Sequence, residues 1–231
     1  MNPKLIGSNL IDCIPIAGPC PNKCDPCYYN DDELRAKINF TIPIMPTLEE
    51  VGDKIVRVNS GADSSIRFDE VVKRTKKYDK KYYNTSLPHY IKDFPAPVVF
   101  TCNPKQDEGW FYAVTDPKNL MAVRIRVATW NIAGVDKAVA YYANLSTPVI
   151  LTFLYFNNKE SIQHPEMYEL HKHIENNRYI IKPSVWKRIV NRYPFYNVMT
   201  CGDGVSHLCA DCGNCEALYK RAVSIFYEKE V

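Results

Sequence analysis

Nine cysteines stand in the 231-residue chain, and seven of them fall into two groups. The first group is Cys20-Pro-Asn-Lys-Cys24-Asp-Pro-Cys27, three thiols separated by three and then two residues. A loop with that spacing can wrap one corner of a four-iron four-sulfur cubane. Three thiolates also leave one iron open to a small molecule. Zinc loops, by contrast, favour paired two-residue spacings and complete four ligands. The second group is Cys201, Cys209, Cys212 and Cys215, whose last three members are spaced like the cysteines of a ferredoxin loop. Four cysteines would also close a tetrahedral zinc site. A second four-iron four-sulfur cluster is the preferred reading; His207, inside this group, is a minor alternative ligand to one of the cysteines. Cys13 and Cys102 lie outside both groups; Cys102 reads as a small buried hydrophobe. The histidines show no metal spacing beyond His171-x-His173, which a helix would point to different sides.

Composition sets the setting for those thiols. Hydrophobic residues make up 46% and charged residues 24%, enough for a sizeable core. The first residues, MNPKLIGSNLIDCIPIAG, lack the apolar run of a signal peptide. No stretch approaches the ~20 apolar residues that span a bilayer. The expectation is therefore a cytoplasmic protein with no membrane partner, in which cysteines serve metals or catalysis rather than disulfides. A net charge of +3 is too mild to indicate nucleic acid. The basic run Lys73, Arg74, Lys76, Lys77, Lys80 and Lys81 falls on an expected polar helix from about Ser65 to Lys81, as a solvated face.

The elements that must position the cysteines alternate in type. Strands are expected at Lys54–Val58, Pro97–Cys102, Met121–Thr129, Pro148–Phe156 and Tyr196–Met199. Helices are expected at Asp31–Lys37, Val135–Asn144, Pro165–Asn176 and Pro183–Arg192. Alternation of this kind implies crossover connections and a parallel sheet. The strands are too few for an eight-stranded barrel, which takes ~250 residues. The fold class read from this pattern is α/β, a partial (β/α) barrel of about five or six parallel strands, over residues 1–200. A C-terminal cysteine-rich cluster loop over 201–231 completes the expected organisation.

The spacing Cys-x3-Cys-x2-Cys near the N-terminus, followed by βα units, resembles the radical S-adenosylmethionine (SAM) superfamily. The likeness of layout runs from about residue 15 to 200, and its short length resembles that of small radical SAM-like proteins encoded by phages. The resemblance implies a partial barrel and two cofactors, a [4Fe–4S] cluster and SAM. The open iron would chelate the amino and carboxylate groups of SAM, and reduction would release a 5′-deoxyadenosyl radical that takes hydrogen from a substrate. It further implies an electron donor such as flavodoxin or ferredoxin. Many members carry a C-terminal auxiliary cluster. By the same resemblance, the turn after the second strand contacts the SAM amino group; here that turn is Asn59-Ser60-Gly61-Ala62-Asp63 in place of the family's Gly-Gly-Glu. The polar end of a fourth strand, Arg124, Arg126 and Thr129, would hold the ribose or carboxylate. Strand alternation puts Arg124 and Arg126 on one face, opposite Val123, Ile125 and Val127. Pro26 stands where the family commonly has an aromatic residue.

Three functions follow from these residues. The first is an enzyme that reductively cleaves SAM and acts on an unknown substrate. The second is a non-catalytic iron–sulfur protein on the same fold, for electron transfer or structure. The third is a zinc-stabilised module that binds nucleic acid through the basic run.

Overall fold

A computed structural model of the chain describes residues 3–18, 20–22, 42–59, 61–103, 114, 117–128, 131–156, 166–172, 177–195, 197–202, 206 and 208–227. Its centre is a seven-stranded, all-parallel sheet. The strands are β1 (Leu10–Cys13), β2 (Ile55–Val58), β3 (Lys81–Thr85), β4 (Val98–Cys102), β5 (Leu120–Arg126), β6 (Val149–Thr152) and a strand at Val198–Thr200. They lie side by side in chain order, and the two outermost strands are not paired, so the sheet is open. The seventh strand is labelled β10, because three short strands intervene. These are β7 (Leu154–Phe156), β8 (Tyr168–Lys172) and β9 (Asn177–Ile181), which form an antiparallel sheet of order β7-β9-β8.

The strand order never reverses, and the described crossover helices pack on one side of the sheet. They are α1 (Leu48–Val51), α2 (Phe68–Thr75), α3 (Ile132–Asn144) and α4 (Pro183–Val190). Val71 of α2, Val135, Ala138 and Val139 of α3 and Val185 and Ile189 of α4 are buried with Val56, Val58, Phe100, Val123, Ile125 and Leu151 in one large core. That side is the helix face. At α1, Thr47 Oγ1 accepts from the Glu50 N–H at 3.2 Å, and Glu50 Oε2 accepts from the Thr47 N–H at 2.7 Å. This capping box starts a helix too short to stand on propensity.

The other side of the sheet is covered by the C-terminal segment, which is largely helical. A turn, α5 (Cys209–Cys212), leads through Gly213 at φ +62° into α6 (Asn214–Tyr227). Leu218 and Tyr219 of α6 are buried with Leu10, Ile55, Tyr82, Val99, Met121, Ala122 and Ile150, and Leu5 of an N-terminal 3-10 turn (Pro3–Leu5) joins them. This side is the tail face. The expected cysteine-rich loop is thus only the approach to a 14-residue helix.

The structure corrects other expectations. The sheet has seven parallel strands rather than five or six. β1 and β3 were not foreseen, because Leu-Ile-Asp-Cys and Lys-Tyr-Tyr-Asn-Thr are short and carry polar residues. The polar helix ends at Thr75, so Lys80 precedes β3 and Lys81 opens it. The helix expected at Pro165–Asn176 is β8 where it is described. The apolar run 148–156 divides at the buried Phe153 into β6 and β7, which belong to different sheets. The helix expected at Asp31–Lys37 lies outside the described residues.

Candidate cluster and cofactor site

Parallel α/β sheets bind ligands at the carboxyl ends of their strands, where the loops are free to vary. Asn59, Gly61 and Asp63 follow β2, Ser86 follows β3, Arg126 ends β5 and Cys201 follows β10. The described start of the first cysteine group reaches the same end. Asn22, two residues beyond Cys20, donates from Nδ2 to Asp63 Oδ2 at 3.1 Å and to Ser86 Oγ at 3.3 Å.

Asp63 is buried and gathers five donors. Its Oδ1 accepts from the Ser65 N–H at 2.9 Å and from Thr85 Oγ1 at 2.7 Å. Its Oδ2 accepts from the Ser86 N–H at 2.7 Å, from Ser86 Oγ at 2.6 Å and from Asn22. A carboxylate offers about four lone-pair sites, so this one is fully engaged. Neighbouring Asn59 is buried in the left-handed region at φ 53°. Asn59 Nδ2 donates to Ser64 Oγ at 3.3 Å, while its Oδ1 is buried with no hydrogen bond. That orphaned acceptor fits an ammonium donor such as the amino group of SAM. Ser60, between them, lies outside the described residues, as do Cys24, Cys27, Thr129 and His207.

Arg124 and Arg126 lie on the tail-face side of β5, while Val123, Ile125 and Val127 are buried on the helix face. β5 is the fifth strand of the sheet, where the resemblance had suggested the fourth. Arg124 Nη1 donates to Asn84 Oδ1 at 3.3 Å, and Asn84 Nδ2 donates to the Val58 carbonyl at 2.8 Å. Asn131 closes the strand end, accepting from the Ala128 N–H at 2.8 Å and donating to the Arg126 carbonyl at 3.0 Å.

The second cysteine group borders the tail-face core, with Cys201, Cys209 and Cys215 packed against it. The Cys201 N–H donates to the Leu151 carbonyl at 2.8 Å, which seats this residue at the strand ends. Asn214 Nδ2 binds the Thr200 carbonyl at 2.9 Å. Ala210 packs against Gly7, 3.5 Å from where a glycine Cβ would stand. Burial pushes the Cys209 thiol up; Arg57 opposes that, and Cys201 and Cys215 add to it, so the three thiols lie within electrostatic reach. Among the described residues, no three His, Cys, Asp or Glu side chains are gathered closely enough to hold a metal ion. The donor set itself, four thiols and no oxygen, is that of an iron–sulfur cluster or zinc.

Beneath the thiols runs an ion pair that the sequence reading passed over. Arg57 on β2 and Asp12 on β1 meet at 2.7 Å, both largely buried. Burial works against the Arg57 charge, but Asp12, Tyr82 and the hydrogen bond to Asp12 together raise its pKa. Tyr82, wholly buried beside it, has an Oη with no hydrogen bond. The signal was a charge in the middle of each apolar strand, Leu-Ile-Asp-Cys and Ile-Val-Arg-Val. Asn22 and Ser86 were missed as well, although Asn22 stands inside the first motif.

Other residues set aside on sequence lie away from this site. Cys13 and Cys102 are buried in the helix-face core. Burial pushes the Cys13 thiol up to about 12, against a hydrogen bond from Tyr78 that lowers it. The basic run is solvent-exposed at Lys73, Arg74, Lys76, Lys77 and Lys80, as expected, and Lys81 is half-buried. Lys81 Nζ turns back to the Tyr78 carbonyl at 2.6 Å, Lys77 lies over the Tyr78 ring, and Lys80 pairs with Asp53 at 3.3 Å. No described helix is long and apolar enough to cross a membrane. Set against known proteins, the chain matches no family model, no curated protein and no solved structure.

Proposed function

We propose that the chain is a radical SAM-like iron–sulfur enzyme. Cys20, Cys24 and Cys27 hold a [4Fe–4S] cluster at the carboxyl ends of the strands, and Cys201, Cys209, Cys212 and Cys215 hold a second. The observation that supports this reading is the bond from Asn22, two residues beyond Cys20, to Asp63 and Ser86, which brings the start of that motif to the end where parallel sheets bind ligands. When bound, the cluster supplies the electron that cleaves SAM to a 5′-deoxyadenosyl radical. The chain's own residues bind and orient. Asn59 Oδ1 would accept from the SAM amino group, and Arg124 and Arg126 would hold its carboxylate and ribose, a role the resemblance gives to Thr129 as well. Helix α6 shuts water out of the lower part of the tail face by covering Ile55, Val99, Met121 and Ile150. The electron comes from a small donor protein such as flavodoxin or ferredoxin, and the substrate is unknown.

Anaerobic reconstitution with iron and sulfide tests this. About eight irons per chain correspond to two four-iron clusters, and dithionite with SAM should then yield 5′-deoxyadenosine. Replacing Cys24 with alanine should remove about half of the iron and all of the 5′-deoxyadenosine. Zinc in place of iron, or no cleavage by the loaded protein, would sink the enzyme reading.

One observation favours the non-catalytic iron–sulfur protein as a second reading. The strand-end carboxylate, Asp63, has no lone pair left for the SAM ammonium. Two clusters without SAM cleavage would establish it.

A further inference from the structure

We infer that Asp63 is a positioning residue: it fastens the first cysteine loop to the ends of β2 and β3, rather than binding a cofactor itself. The inference deepens the proposed function, whose iron site that loop would carry. Three separate chain segments meet on this one carboxylate. Asn22 comes from the cysteine loop, Ser65 from the turn after β2, and Thr85 and Ser86 from the end of β3. Ser65 Oγ and Thr85 Oγ1 are also 2.7 Å apart, so the donors brace one another. A buried carboxyl group is costly unless hydrogen-bond donors surround it. Five donors on two oxygens meet that need and leave the group saturated. Among the described residues, Asn22 is the donor from the cysteine motif, and its second bond, to Ser86 Oγ, doubles the hold on the loop.

The loop's attachment can be read without any metal. In metal-free protein, iodoacetamide alkylation of Cys20 reports how often the loop comes away, and fully buried Cys13 reports the integrity of the core. Asp63→Asn should speed Cys20 alkylation roughly tenfold or more, since it puts an amide donor in place of an acceptor oxygen that faces donors only. Asn22→Ala should act in the same direction, and the double variant should be no faster than Asp63→Asn alone, because both break one network. Should Asp63→Asn also expose Cys13, Asn22→Ala and Ser86→Ala carry the test, with Cys20 faster and Cys13 still protected. Unchanged Cys20 reactivity in Asn22→Ala and Ser86→Ala would overturn the inference. So would weakened SAM binding in iron-loaded Asp63→Asn with Cys20 alkylation unchanged, which would make Asp63 a ligand contact. Failure of the wild-type protein to take up iron would sink the proposed function and leave the alkylation result standing.

Discussion

Asp12 and Arg57 are Cα partners across the parallel strands β1 and β2, and their side chains meet on the tail face. Arg57 donates from Nε to Asp12 Oδ1 at 2.7 Å and from Nη2 to Oδ2 at 3.3 Å. The two-pronged geometry suits a planar guanidinium and carboxylate. With 10% of the Arg57 side chain and 15% of the Asp12 side chain exposed, the pair has little water to fall back on. Removing one partner leaves the other charged and buried. Arg57→Leu or Asp12→Leu should each cost about 3–5 kcal/mol in urea unfolding, while the double replacement by Leu should cost far less. Equal losses in the single and double variants would show that the pair contributes nothing beyond its volume.

Tyr82 offers the opposite case. Its hydroxyl is buried without a hydrogen bond, and its ring packs near Tyr219 of α6 with centroids 6.3 Å apart. Deleting an unsatisfied polar atom removes a desolvation cost of roughly 1–3 kcal/mol, partly offset by the gap it leaves. Tyr82→Phe should therefore match or exceed the wild-type melting temperature. A clear drop would mean the hydroxyl has a partner in solution.

Helix α6 should behave as the cover of the tail face. Leu218 is 5% exposed against strand residues from β1 to β6. Leu218→Ala should cost about 2–5 kcal/mol and increase binding of the dye ANS as the cover loosens. Stability at the wild-type level would mean that the helix is not held by this contact.

Alkaline pH should unfold the protein through its buried thiol and phenols. Burial raises Cys13 from 9.0 to about 12, and raises Tyr78, Tyr82, Tyr83, Tyr142 and Tyr193 from 10.0. A folded pKa above the unfolded one gives stability that is complete below the unfolded value and is lost as pH climbs towards the folded value. Stability should thus fall steadily from about pH 9 upward. Lys81, lowered by burial, has the opposite sign but is one group against six. A flat profile from pH 9 to 11 in urea melts would contradict the burial of these groups.

The sequence made the parallel, singly wound plan legible because β2, β4, β5 and β6 are apolar runs rich in Val, Ile and Leu, bounded by Asn, Gly and Pro. It could not announce β1 or β3, whose inward charges and paired tyrosines break the apolar pattern and whose burial depends on tertiary partners. The division of 148–156 was hidden for the converse reason: one unbroken apolar run serves two sheets, and only packing at Phe153 separates them. For the site, cysteine spacing marked the two groups, while the residues that anchor them, Asn22 and Ser86, have no distinctive type. The helix that begins at Asn214 was obscured because the cysteines up to Cys215 read as loop.

The cover on the tail face has a consequence for synthesis. Helix α6 follows every strand of the sheet in sequence, so a nascent chain presents Leu10, Ile55, Val99, Met121 and Ile150 uncovered until that helix leaves the ribosome. At about 5–20 residues per second, the passage from β6 to the end of α6 lasts some seconds. During that interval an unfinished sheet has an apolar side free to stick to another nascent chain, which places a premium on chaperone contact late in translation.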